Sequence, residues 1–258
     1  MVATMIKVVN ELLLSGRQMV QLFRETLYWT INRGLHRRRI QILEQMYEIG
    51  NRSVLFITVT LGVLGMISVY QVLHQVEQIL PDFSMIGPAF IQMMIREFGP
   101  TITGLMIATR VGSGIAAEIG SMVVTEQVDA LKMCNADPVD YLVCPRFVAC
   151  TIQTIMLTIY ACVIGVLAGS LVAMIFWQIM PSTFFSIQLV RWGDVVSGLF
   201  KATAYGMAIP IVSAHAGLLA EGGSEGVGAA TTRAVVNASF SVVILDLILS
   251  AFSYLVLF

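Results

Sequence analysis

A long uninterrupted run of uncharged residues, Phe147–Met180, constrains the fold of this chain more than any other feature. A transmembrane helix needs about 20 consecutive, mostly apolar residues, so this run can cross a bilayer and still project beyond it. The composition agrees, because 57% of the residues are hydrophobic and only 12% are charged. Soluble domains have about 45–50% apolar and about 25% charged residues. These values exclude an ordinary soluble enzyme and a disordered chain, and they predict a membrane protein.

Four further apolar segments raise the predicted number of membrane spans to five. We therefore predict an all-α, polytopic membrane protein with five transmembrane helices, following an N-terminal helix that lies in the membrane interface. The four additional spans are Val54–Leu73, Ile86–Ala117, Val195–Leu219 and Ala234–Phe258.

The distribution of basic residues predicts the orientation. Eight Lys and Arg residues lie between Lys7 and Arg52, before and at the start of the first span, and few follow in the later loops. Loops rich in Lys and Arg stay in the cytoplasm, so we expect a cytoplasmic N-terminus and, with five spans, a periplasmic C-terminus. The loops Glu118–Arg146 and Ala220–Arg233 would then face the cytoplasm.

The first 50 residues differ from the rest of the chain. Apolar residues from Met5 to Leu27 recur at helical spacing with Arg17 and Arg24 among the polar positions, and a basic cluster at Arg37, Arg38 and Arg39 follows. This pattern is typical of an amphipathic helix in the membrane interface, and an ordinary solvent-exposed amphipathic helix is the alternative. We predict two regions: an interfacial segment, 1–50, and a five-helix transmembrane domain, 51–258.

The loop after the second span predicts a short cytoplasmic helix at about residues 124–136. Thr125 is the expected N-cap, acidic residues follow at the positive end of the helix dipole, and Asp137-Pro138 ends the helix. Such a helix between two spans is how ABC permeases dock onto an ATPase. A solvated helix without a partner is the alternative.

Charged residues at the predicted spans are candidate functional residues, because charge is costly in lipid. Arg96 and Glu97 lie near the outward start of the second span, and Asp194 and Lys201 lie near the outward start of the fourth. They are either functional residues or structural ion pairs. We expect a structural role for Asp246 in the fifth span, in a pair with Arg110 or holding helices together.

Two blocks of sequence carry a family resemblance. The first contains R-x-G-S-x-x-A-A-E-I-G-x-M from Arg110, V-T-E-Q-x-D-A-L from Val124 and D-P-x-x-Y-L-x-x-P-R from Asp137. The second is G-V-G-x-A-T-T-x-A-V-V at Gly226–Val236. Together they resemble the MlaE/YrbE family of ABC transporter permeases, and the likeness extends over nearly the whole chain.

The resemblance implies a function, partners and site residues. A member of this family is expected to form a homodimer that binds phospholipid in a central cavity and helps to maintain outer-membrane lipid asymmetry from the inner membrane. Expected partners are an MlaF-like ATPase, an MlaD-like hexamer of MCE domains and an MlaB-like STAS subunit. ATP and Mg²⁺ would be bound by the ATPase, with no cofactor, metal or catalytic residue in this chain.

Two sets of residues are assigned to these roles. Tyr70, Leu73 and Val76 lie on one helical face and can contact acyl chains, and the charged residues named above would meet the headgroup, with Arg96 and Lys201 holding its phosphate. The predicted lipid-binding residues are Tyr70, Leu73, Val76, Arg96, Glu97, Asp194 and Lys201. The predicted ATPase-coupling residues are Glu126, Gln127, Asp129, Ala130 and Leu131.

Two other classes of protein stay open at this stage. Gly222–Gly226 matches G-x-S-x-G, so an intramembrane serine protease using Ser224 and His215 is one alternative. A membrane scaffold without transport activity is the other. The sequence has no Walker A, H-E-x-x-H or C-x-x-C motif, and its net charge of −1 argues against a general nucleic-acid binder.

Overall fold

The computed structural model describes residues 2–32, 39–78, 83 and 85–257, with side chains within residues 15–255 of these ranges. The regular structure in these ranges is helical. A π-helical segment, Met94–Phe98, joins α3 to α4, and a second one, Val139–Val143, leads into α6. The helices are α1 Val2–Asn32, α2 Arg39–Glu77, α3 Ile86–Met93, α4 Gly99–Val124, α5 Gln127–Met133, α6 Cys144–Trp177, α7 Pro181–Phe184, α8 Trp192–Leu218 and α9 Gly223–Leu257.

Five helical stretches are long and apolar enough to cross a membrane, which confirms the predicted all-α polytopic class. They coincide with the five predicted spans but are mostly longer. The fifth helix, for example, begins at Gly223 and not at Ala234, because a helix continues past the lipid-facing part that hydropathy detects. The third span is shorter at its end, since Gln178 adopts a left-handed conformation (φ 53°) after Trp177.

The chain packs as two units. Unit 1 comprises residues 1–47, 108–150 and 207–240, and unit 2 comprises residues 48–107, 151–206 and 241–258. The predicted division into 1–50 and 51–258 is based on where each region lies relative to the membrane, whereas these two units are defined by packing. The predicted division therefore stays a prediction.

In unit 1, one face of α1 packs against the chain around the predicted cytoplasmic loop. Thr26 is fully buried, and its backbone carbonyl accepts a hydrogen bond from Sγ of Cys144 at 3.6 Å. The indole Nε1 of Trp29 donates to Oδ2 of Asp137 at 3.0 Å. Arg17 and Arg24 are exposed, and the interfacial placement of α1 stays a prediction. The side chains of residues 2–14 and the residues Arg37 and Arg38 lie outside the described part of the chain.

Small residues let the helices of unit 1 approach closely. A Cβ added at Gly217 of α8 would lie 3.0 Å from the backbone oxygen of Ala116 in α4. Ala116, Ala216 and Ala234 form a buried cluster that joins α4, α8 and α9. The small-residue ladder of Gly112, Ala116 and Gly120 therefore packs helices within one chain.

A second small-residue ladder, Ala161 to Ala173 in α6, brings α6 against α2 in unit 2. A Cβ at Gly65 would lie only 2.4 Å from the backbone oxygen of Gly165, and a Cβ at Gly169 would lie 2.7 Å from Cγ2 of Val69. Only glycine permits this separation of the two backbones.

The short helix predicted after the second span is present as α5, but its predicted N-cap is wrong. Thr125 does not cap α5, because its hydroxyl donates to the backbone oxygen of Ser121 in the last turn of α4 at 2.8 Å. Such a bond one turn back is a common use of a threonine in a helix. The N-cap position is Glu126, which has a left-handed backbone (φ 58°) and no side-chain capping bond.

Candidate functional site

The candidate site is a cluster of five charged side chains in unit 2, and the π-helical segment Met94–Phe98 contributes two of them. Within this segment the backbone N–H of Gly99 donates to the oxygen of Met94, five residues back. Cys162 of α6 donates its Sγ hydrogen to the same oxygen at 3.6 Å. The widened turn carries Arg96 and Glu97, and π-helical turns often occur at functional sites.

Lys201 of α8 occupies the centre of the cluster. Its Nζ contacts Oε2 of Glu97 at 2.5 Å, Oγ of Ser250 at 2.7 Å and Oδ1 of Asp246 at 3.0 Å. The side chain has no exposed area. The contacts to Glu97 and Ser250 are hydrogen bonds, and the contact to Asp246 is an ion pair. The structure thus places Lys201 as the counter-ion of two carboxylates.

Asp246 of α9 belongs to this cluster. Its Oδ1 accepts hydrogen bonds from Tyr205 at 2.7 Å and from Thr101 at 3.1 Å, in addition to the Lys201 ion pair. The sequence assigned Asp246 a structural role, and its observed ionic partner is Lys201.

Arg96 links the centre of the cluster to Asp194. Its guanidinium lies 3.7 Å from Oε1 of Glu97 and 3.8 Å from Oδ1 of Asp194. The ring of Tyr254 lies against the guanidinium, 4.0 Å from centroid to carbon, which is a cation–π contact. Asp194 is fully buried in the first turn of α8, where Gln92 donates to its Oδ2 at 3.0 Å.

Four of the seven predicted lipid-binding residues are therefore brought together, namely Arg96, Glu97, Asp194 and Lys201. The three apolar candidates lie at the end of α2. Leu73 is buried, Val76 is half-buried, and Tyr70 is exposed against Phe176 and Trp177. These contacts neither include nor exclude an acyl chain, so the lipid-binding role of the set stays a prediction.

Sequence reasoning missed Gln92, Thr101, Tyr205, Ser250 and Tyr254. A signal for three of them was present, since residues four apart share a helix face. Glu97 and Thr101, Lys201 and Tyr205, and Asp246 and Ser250 are all such pairs. A search for polar residues one turn from an intramembrane charge would have found them.

A second candidate surface is α5 in unit 1. Glu126, Gln127, Asp129 and Ala130 are exposed, Leu131 is half-buried, and Val128 anchors the helix in the interior. Arg146 and Glu118 close the base of the loop with an ion pair of 2.7 Å. Met133, which the sequence analysis did not single out, is 90% exposed at the end of the helix. The surface of α5 thus carries two acidic residues, Glu126 and Asp129, one base, Lys132, which pairs with Asp129 at 2.8 Å, and an apolar side chain at its tip.

The protease alternative finds little geometric support. Ser224 is the second residue of α9 and follows a loop, whereas a nucleophile elbow requires a strand before the serine. Nε2 of His215 lies 3.1 Å from Oε1 of Gln18 in α1. Among the residues that the structure describes, no group of His, Cys, Asp and Glu could hold a metal ion.

Five membrane-crossing helices with an ion-paired cluster among them define a multi-pass helical membrane protein. A sequence model of the family described as Permease MlaE matches residues 42–252. The chain belongs to the MlaE permease family.

Relatives agree with this assignment. A probable ABC transporter permease protein of Synechocystis is 37% identical over 89% of this chain and 86% of its own length. A probable ABC transporter permease protein of Rickettsia typhi is 39% identical over 79% of each chain. The Arabidopsis thaliana protein TRIGALACTOSYLDIACYLGLYCEROL 1, chloroplastic, is 29% identical over 94% of this chain and 67% of its own length.

Proposed function

We propose that this chain is the permease subunit of an ABC transporter that moves phospholipid between the inner and outer membranes and so maintains outer-membrane lipid asymmetry. The observation that carries the proposal is the charged cluster of unit 2, because charge within a membrane span is costly and marks a substrate path by default. Membership in the MlaE permease family supports it, as does a relative whose name refers to a glycerolipid.

The proposed site has an apolar part and a polar part, as a phospholipid requires. Tyr70, Leu73 and Val76 would line the path of the acyl chains, and the charged cluster would meet the headgroup near the periplasmic side. Two copies of the chain would form the cavity as a homodimer in the inner membrane, with the N-terminus in the cytoplasm and the C-terminus in the periplasm.

Energy for transport would come from a separate subunit. An ABC permease family implies an ATPase partner, and Glu126 and Asp129 on the exposed surface of α5 would meet a basic groove on an MlaF-like ATPase that holds ATP and Mg²⁺. An MlaD-like MCE hexamer would receive or supply lipid on the periplasmic side, and an MlaB-like STAS subunit would join the ATPase.

Photo-crosslinking in whole cells tests this function. A photoreactive residue at positions 73, 76 or 97 should crosslink to radiolabelled phospholipid, whereas the same residue at Met133, on the predicted cytoplasmic helix, should not. Glu97→Ala and a bulky polar residue at Val76, which is half-buried, should sensitise the outer membrane to detergent without reducing the amount of assembled complex. Absence of all three crosslinks, together with normal detergent resistance of the variants, would contradict the proposed lipid path.

A further inference from the structure

We infer, on the basis of the lipid-permease function proposed above, that the site selects phospholipids whose headgroup ends in a primary ammonium group, which would lie against the carboxylates of Glu97 and Asp246. The contacts of the cluster favour an ammonium over a phosphate as the group that the protein holds directly.

The first reason is the net charge of the cluster. Its three carboxylates, Glu97, Asp194 and Asp246, are paired with only two cations, Arg96 and Lys201. Among the described residues, the cluster therefore has one carboxylate more than it has cationic side chains, and such an excess negative charge within membrane-spanning helices is costly unless water or a cation reaches it. A headgroup ammonium would neutralise that charge, and an anionic headgroup would add to it.

The second reason is which charges are accessible. The side chain of Lys201 has no exposed area, and that of Arg96 is 12% exposed with the ring of Tyr254 against it. The side chains of Glu97 and Asp246 are 31% and 24% exposed. A headgroup that enters the site thus meets carboxylates before it meets either cation.

The third reason is that one carboxylate oxygen of Asp246 has unused capacity to accept hydrogen bonds. Thr101, Lys201 and Tyr205 all reach Oδ1 of Asp246, and none of the contacts seen in the described residues uses its Oδ2. Lys201 is already engaged by Glu97, Ser250 and Asp246. A primary ammonium supplies N–H donors for a carboxylate oxygen, and such charge-assisted bonds are stronger than neutral ones.

A competition among headgroups tests this selectivity. The full-length chain, carrying a photoreactive aromatic residue at the exposed position Tyr254, is reconstituted in vesicles of equal parts phosphatidylethanolamine, phosphatidylcholine and phosphatidylglycerol with identical acyl chains. Mass spectrometry then identifies the crosslinked lipid. We expect phosphatidylethanolamine first, phosphatidylcholine second because its quaternary ammonium has no N–H donor, and phosphatidylglycerol last.

Isosteric variants test whether the carboxylates cause the preference. Glu97→Gln and Asp246→Asn should each reduce the ratio of crosslinked phosphatidylethanolamine to phosphatidylglycerol roughly tenfold, as a loss of about 1.4 kcal/mol would. Glu77→Gln is the matched control, because Glu77 accepts a hydrogen bond from Trp177 at 2.9 Å and lies outside the cluster. Its ratio should not change.

The outcomes separate the two proposals. Equal crosslinking of the three lipids by the unsubstituted cluster, or a preference that neither substitution alters, would overturn the headgroup inference and leave the lipid-permease function intact. No crosslink to any lipid would contradict the lipid site itself. The order of the three lipids is measured without altering a charged residue, so the test holds even if a variant fails to fold.

Discussion

At the scale of single residues, the molecule keeps a lysine within a membrane span by surrounding it with two carboxylates and a hydroxyl. Lys201 is fully buried between Glu97, Asp246 and Ser250. Removing one member of a buried ion pair leaves an uncompensated charge, which costs about 3–5 kcal/mol. Exposed pairs contribute about 0–1 kcal/mol. The contrast between the two cases can be measured in this chain.

We expect Lys201→Met to lower the thermal unfolding temperature of the detergent-purified protein clearly, because Asp246 would lose its ionic partner and Glu97 would keep only Arg96. Lys132→Met is the matched control, since Lys132 pairs with Asp129 at 2.8 Å with both side chains more than 60% exposed. The control should unfold close to the wild-type temperature. Equal unfolding temperatures for both variants would show that Lys201 does not stabilise the cluster.

The sequence predicted individual charges better than their partners. Arg96, Glu97, Asp194 and Lys201 stand out against an apolar background, so they could be identified from the sequence alone. Their pairing could not, because it depends on how α3, α8 and α9 are rotated and on a π-helical turn at Met94–Phe98. For the same reason, the sequence suggested Arg110 as a possible partner of Asp246, whereas the observed ionic partner is Lys201.

At the scale of helices, contact between backbones is controlled by glycine. The close approach of α2 and α6 at Gly65 and Gly165 leaves no room for a Cβ. Without a hydrophobic driving force between helices in lipid, packing of this kind is a main source of helix association.

Gly65→Ala should therefore destabilise the protein by about 1–3 kcal/mol, the usual cost of overpacking. Gly114→Ala is the control, because nothing lies within 4 Å of a Cβ at that position. It should be neutral or stabilising, since alanine favours a helix over glycine. Unfolding temperatures in the same detergent compare the two. A stable Gly65→Ala protein would mean that α2 and α6 lie further apart in the membrane.

Helix α5 allows a test of ATPase docking. Glu126→Lys and Asp129→Lys reverse exposed charges on α5, and they should weaken pull-down of the ATPase while the permease remains folded and inserted. Glu225→Lys, an exposed acidic residue in the other predicted cytoplasmic loop, is the matched control and should retain the ATPase. Unchanged pull-down in both α5 variants would contradict the coupling role.

The helices themselves were predictable and their ends were not. Hydropathy identifies the residues that face lipid, so the five spans were found at nearly their true positions. Helix ends depend on local bonding that hydropathy does not detect, and Thr125 is the clearest case. Threonine is a common N-cap residue, but the hydroxyl of Thr125 donates to the backbone oxygen of Ser121. Glu126 takes the N-cap position instead, with a left-handed backbone.

At the scale of the whole molecule, the orientation in the membrane rests on the distribution of Lys and Arg. The four natural cysteines supply a test, because they differ in exposure. Cys134 follows α5 and is exposed, Cys144 and Cys150 are buried, and Cys162 is half-buried and bonded to the oxygen of Met94. A thiol reagent that cannot cross the membrane should react with Cys134 before the other three.

With a cytoplasmic N-terminus, Cys134 should resist this reagent in intact cells whose outer membrane has been made permeable, and it should react in inverted inner-membrane vesicles. Ser182→Cys in a Cys134→Ser background reports the opposite side, because Ser182 is exposed in α7, which follows the third span. It should react in the cells and be protected in the vesicles. Because one span separates the two positions, the labelling of Cys134 and the labelling of Ser182→Cys should change in opposite directions between cells and vesicles. Labelling of Cys134 from outside would invert the whole assignment, place α5 in the periplasm, and make contact with a cytoplasmic ATPase impossible.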